Sequence, residues 1–170
     1  EGATSGRGLL SVYKQDHGAA LYRRGMYTLI KRTVPPPTMA IFDASNRDMC
    51  EVKRLKTNTP LQALVMMNDP AVLEASRVLA ATLLEEKSNA KEKISKAFRL
   101  IVCRKPAEKE LEVLTNYFNK QLKTIEDQSA DKMLAIGEHP LNKRIDKKTL
   151  AAMMRVISTI YNLEETIMKS

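Results

Sequence analysis

Two prolines ten residues apart, Pro60 and Pro70, constrain this chain more than any other feature. Each follows side chains able to accept hydrogen bonds from the first turn of a helix: Asn58 and Thr59 before Pro60, Asn68 and Asp69 before Pro70. Proline is tolerated at the first helical position because the N–H it lacks has no partner there in any case. Asn, Thr and Asp in turn are favoured caps. The pattern predicts one helix opening at Pro60 and a second at Pro70, with Asn58, Thr59, Asn68 and Asp69 as capping residues. Leu61 to Met67 is apolar nearly throughout, which predicts a short helix lying at the centre of the domain.

Helical spacing continues downstream. Val72, Leu73, Ser76, Leu79, Ala80 and Leu83 predict a helix to about Glu86. Ile94, Ala97, Phe98, Ile101 and Val102 predict another over about 89–103, stopped by Pro106. Leu111, Leu114, Tyr117, Phe118 and Leu122 predict a longer one over about 107–125, with Glu108 to Glu112 near its positive end. Asp131 to Ile136 gives one or two turns before the polar connector GEHPLNKRID. A last helix, capped by Thr149, carries Leu150, Met153, Met154, Ile157, Ile160 and Met168. The expected fold class is all-α: a helical bundle of about five helices over 60–170, preceded by an irregular, proline-containing strap.

The first sixty residues read differently. EGATSGRGLLSV has too little apolar surface to fix one conformation alone. Gly18 and Gly25 weaken any helix over 13–33, and TVPPPTM imposes extended geometry. Residues 1–59 therefore form a basic arm and strap and residues 60–170 a helical core, one domain that is expected to be a fragment of a larger multidomain protein.

Composition narrows the chemistry. The 44% apolar and 28% charged fractions are those of a globular protein, and the longest apolar run falls far short of the ~20 residues a membrane-spanning helix needs. With 5% aromatics and no Trp, a stacking platform for bases or sugars is disfavoured. The net charge of +8 is concentrated at the N-terminal end: residues 1–60 hold ten Lys/Arg against five Asp/Glu. Cys50 and Cys103 lack the CxxC spacing of a zinc or c-type haem site, so no metal site and no cofactor is expected within the chain.

Three groups of residues carry candidate chemistry. Asp16 beside His17, with Asp43, offers a carboxylate and imidazole for acid–base work. Adjacent side chains rarely face one another, so a turn-stabilising His17 is the preferred reading. Arg23, Arg24, Lys31 and Arg32, interleaved with Tyr22 and Tyr27 and joined by Arg47 and Arg54, suit phosphate or another polyanion. Asp43, Asp48 and Glu51 supply partners for an internal network, which is favoured over a nucleic-acid patch. Met66, Met67, Met153 and Met154 are read as core packing rather than haem ligation.

Several segments together, QDHGAALYRRGMYTLIKRTVPPPTMAIFDASNRDMCEVKRLKTNTPLQALVMMNDP, AFRLIVCRKPAEKEL, AIGEHP and VISTIYNLEETI, carry a family likeness. From Tyr13 onward the chain resembles the C-terminal domain of unknown function in large planctomycete-type surface proteins that also carry a cytochrome c module. The resemblance implies an exported protein, periplasmic or at the cell surface. Any haem would sit in a separate domain, and the expected partners are other domains of the same polypeptide and surface polysaccharide. It supplies no activity. Cys50 fits its expected position, whereas Cys103 stands where the resemblance expects a small residue, usually Gly, before Arg104 and Pro106; this argues against a family-wide disulfide between the two.

Three functions stand at this stage. The leading one is a non-catalytic accessory or interaction domain, silent as an enzyme in isolation. The second is part of a composite hydrolytic or redox enzyme acting on polysaccharide, with a site around His17, Asp16, Arg23, Arg24 and Asp43. The third is polyanion binding, with nucleic acid the least expected ligand.

Overall fold

The computed structural model describes residues 16–28, 30, 35–45, 52–53, 57–141 and 144–168. Among them the fold is all-α. Its eight α-helices are α1 (Pro37–Ile41), α2 (Pro60–Asn68), α3 (Pro70–Leu84), α4 (Ala90–Val102), α5 (Glu108–Thr124), α6 (Asp127–Leu134), α7 (Lys147–Tyr161) and α8 (Glu164–Ile167), preceded by 3₁₀ turns at Gly18–Ala20 and Gly25–Tyr27. No described helix is long and apolar enough to cross a membrane. The chain divides into two compact units, Glu1–Gln62 and Ala63–Ser170.

In the second unit α7 is the central helix, packing against α3, α4, α5, α6 and α8. Leu150, Ala151, Ala152, Met153, Met154, Val156, Ile157 and Ile160 are all buried on it, so it is apolar on nearly every side. Each fully buried large side chain contributes about 1.5–3 kcal/mol, which makes α7 the main source of stability here. Phe98 and Ile94 of α4, Leu114 and Phe118 of α5, and Leu83 of α3 complete the same core.

Helix α2 does not take the central place expected of it. Leu61, Leu64 and Met67 are 51%, 54% and 49% exposed, and the one buried side chain on the helix is Gln62. The apolarity of the segment pointed to the centre, and the observed exposure corrects that expectation. What decides it is the Gln62 amide, whose donors and acceptor are all satisfied inside the first unit and therefore cost little to bury.

Three further differences have local causes. Pro37 at the first helical position nucleates α1 inside the strap that was expected to be irregular. Thr149 is not the cap of α7: Asp146, three residues earlier, accepts from the Thr149 backbone N–H at 2.9 Å and from its hydroxyl at 2.7 Å. The last helix also breaks at Asn162, whose N–H is shared between the Ser158 and Thr159 carbonyls, so that α8 is a separate turn. Together with a full α6, these short elements raise the expected five helices to eight.

Candidate functional site

Thr59 and Gln62 form a reciprocal capping box at the start of α2. The Gln62 N–H donates to the Thr59 hydroxyl at 3.3 Å, and the Thr59 N–H donates to Gln62 Oε1 at 3.0 Å. Asn58 takes no part in it. Gln62 Nε2 donates to the Ile41 carbonyl at 2.9 Å and to Thr57 Oγ1 at 3.1 Å. Thr57 donates to Asp43 through its backbone N–H at 2.8 Å and through its hydroxyl at 2.8 Å. Asp43 thus anchors a turn from the left-handed region, at φ 55°, where Asp is among the few side chains tolerated.

Asp16 and His17 are exposed, and His17 lies in extended backbone immediately before the first 3₁₀ turn. Arg23 and Arg24 are exposed too. Among the described residues neither has an ion pair or a side-chain hydrogen bond, and Asp48 and Glu51, two of the carboxylates expected to pair with them, lie outside the described residues. Lys31, Arg32, Arg47, Cys50 and Arg54 lie outside the described residues. Among those described, no group of three His, Cys, Asp or Glu side chains could hold a metal ion.

At the start of α3, Asp69 accepts from the Ala71 N–H at 2.8 Å and caps the helix. Asn68 instead turns back, donating to the Leu64 carbonyl at 2.8 Å and closing the end of α2. One turn further on lies a buried ion pair that helical periodicity did not reveal. Glu74 and Arg77 are 5% and 2% exposed, with Arg77 Nη2 3.5 Å from Glu74 Oε1. Both grip the connector before α7: Arg77 Nη2 donates to the His139 carbonyl at 2.7 Å, and Glu74 accepts from the His139 N–H. Gly137, at φ +91°, passes so close that an added Cβ would lie 2.6 Å from Glu74 Cγ. The spacing of Glu74 and Arg77 at i and i+3 was the available signal, but surface pairs share it.

A second polar cluster is Arg104. Its guanidinium binds Glu110 at 2.7 and 2.9 Å and Glu165 at 2.7 and 2.8 Å, and lies 4.8 Å from the Phe98 ring centre. The bond from Arg104, reinforced by the Ala107 N–H, holds the Glu110 carboxyl well below its usual range, at about 2. Glu165 is shifted the same way by Arg104. The cluster ties the start of α5 to α8 and has no free acid or base to offer. Cys103, just before it, is an exposed free thiol closing α4 in the left-handed region at φ 63°.

One pocket, of about 340 Å³, is mainly apolar: Met67, Leu73, Tyr117, Met133 and Met154 line it, with Arg155, Ser158, Thr159 and Asn162 as its polar lining. Met67 belongs to both this pocket and the exposed face of α2. Met153 and Met154 are buried, as expected of core residues, whereas Met67 is half in solvent.

The sequence profile of the family described as PSD1: Protein of unknown function (DUF1553) matches residues 4–118. The chain belongs to that family. No curated protein and no solved structure matches it. The DUF1553 match takes in the Asp43–Thr57–Gln62 network, the Glu74–Arg77 pair and the Arg104–Glu110 contact, and stops before α6 and α7.

Proposed function

We propose that this DUF1553 chain is a non-catalytic interaction domain of a longer, exported polypeptide, and that it docks through the apolar face of α2. The observation that carries the reading is the exposure of Leu61, Leu64 and Met67 on a helix without a single charge, beside a pocket that Met67 itself helps to line. Scattered apolar residues need no explanation, but a row of three on one helix, continuous with a concavity, suits an apolar side chain from a partner. The polar groups best placed for chemistry are already engaged: Asp43 by Thr57, Glu74 by Arg77 and His139, and Glu110 by Arg104. The likeness to planctomycete-type surface proteins supports an exported setting, with haem carried by a different domain and neighbouring domains as partners.

The test is binding in trans. The remainder of the natural polypeptide, produced separately, should bind this chain in calorimetry. Leu64→Glu should abolish that binding while leaving the helical circular dichroism unchanged. Binding that survives Leu64→Glu would remove α2 from the interface, and an activity of the isolated chain would overturn the non-catalytic reading.

A further inference from the structure

The segment from Tyr22 to Thr28 is exposed at every residue, and it concentrates the side chains that dominate protein interfaces. Tyr22, Met26 and Tyr27 are 55%, 70% and 68% exposed, and Arg23 and Arg24 stand exposed between them with no ion pair among the described residues. From His17 to Phe42 the sequence holds four Lys/Arg and no Asp or Glu. The segment is also backed by structure. Gly25 approaches α1 so closely that a Cβ there would lie 3.2 Å from Met39 Cε, and the Thr28 N–H closes the turn onto the Gly25 carbonyl at 3.1 Å.

We infer that Tyr22–Thr28 is a second docking surface, for a protein segment that combines carboxylates with apolar side chains. Charge complementarity selects the carboxylates, because two adjacent guanidiniums in a stretch, 17–42, that holds four Lys/Arg and no Asp or Glu repel each other less once a partner supplies an acid. Each guanidinium can take a carboxylate in a two-pronged contact. The apolar part of the partner follows from Met26 and Tyr27, the most exposed of the three: a purely ionic ligand would leave both in water, whereas an apolar contact removes them from it. This surface lies on a different element from the face of α2, and the two inferences fail separately, since Leu64→Glu bears only on the first.

The experiment uses the whole 170-residue chain and three fluorescently labelled probes: a peptide alternating Asp or Glu with Leu or Phe, poly-glutamate of equal charge, and heparin. The peptide should bind most tightly, with amide shifts at Tyr22–Thr28. Arg23→Glu with Arg24→Glu should weaken it by roughly tenfold or more, as expected for like charges brought together. Met26→Ser with Tyr27→Ser should also weaken the peptide but leave poly-glutamate unchanged. These side chains are exposed, so circular dichroism should show every variant folded. Heparin or poly-glutamate binding as tightly as the peptide, and indifferent to Met26→Ser with Tyr27→Ser, would make this a polyanion site and overturn the inference. So would failure of the peptide to bind, or shifts confined to other residues.

Discussion

Gln62 Nε2 donates a hydrogen bond to the carbonyl of Ile41, 2.9 Å away and twenty-one residues earlier in the chain. One buried amide thus joins the start of α2 to the end of α1, while its Oε1 holds the Thr59 N–H and Thr57 bridges it to Asp43. The orientation of α2, with its leucines outward, follows from this side chain.

Gln62→Leu keeps the volume but leaves the Thr59 N–H and the Ile41 carbonyl without a partner. Each buried, unsatisfied group costs about 1–3 kcal/mol, so the variant should be destabilised by at least that amount. Hydrogen exchange should quicken over residues 37–45 and 57–62 before it does in α7. Unchanged exchange there would show that the amide does not hold these segments together.

Glu74 and Gly137 should behave as a coupled pair. Gly137→Ala places a methyl group against the Glu74 side chain and forces Ala to φ +91°, so it should destabilise by about 2 kcal/mol or more. Glu74→Ala removes the obstacle and strands Arg77, at a cost of about 3–5 kcal/mol for breaking a buried pair. Denaturant titration of the double variant should show less destabilisation than the sum of the two. Strict additivity would mean that the glycine is not there to make room for Glu74.

Much of this was legible in advance and some was not, for identifiable reasons. Helices α3, α4 and α5 announce themselves because their buried residues follow a 3.6-residue period, and Leu114 and Phe118 fall where that period puts them. Helix α2 misleads because periodicity measures apolarity and says nothing about a buried glutamine whose side chain has three partners. Thr149 was read as the cap of the last helix; Asp146, three residues earlier, is an equally good cap by type, and only the position of the first turn decides between them. Of the candidate site, Asp43 is held by Thr57 and Arg23 and Arg24 are exposed, while Asp48 and Glu51 of the expected internal network lie outside the described residues. The Glu74–Arg77 pair was missed because long-range partners such as the His139 carbonyl leave no trace in local sequence.

Cys103 occupies a left-handed position that favours glycine, which fits the expectation of a small residue before Arg104. Cys103→Gly relieves the steric cost of Cβ there but gives the unfolded chain more freedom, and the net effect should be a stabilisation of about 0.5–1 kcal/mol. A rise in the urea midpoint at unchanged slope checks it, and a fall would show that the thiol has packing worth more than the strain.

The Arg104 cluster carries a pH signature. Glu110 titrates at about 2 in the folded protein against an ordinary 4.5, so its contribution is complete above its unfolded value and is lost as the pH falls from about 4.5 towards 2. Arg104→Gln should therefore lower Tm by a constant amount above about pH 5, with the gap to the unsubstituted protein narrowing in the acid range. Both carboxylates are more than a third exposed, so salt should narrow it as well. A gap that stays constant into the acid range would mean that Arg104 acts mainly through its contact with Phe98.

The account rests most directly on α2 as a docking face, and methyl NMR of Leu61, Leu64 and Met67 tests it. On addition of the separately produced remainder of the polypeptide, all three methyl signals should shift or broaden together, along with those of Leu73 and Met133 in the adjoining pocket, while buried Ile157 stays unchanged. Binding that leaves the three α2 signals in place and perturbs other surfaces would contradict the claim.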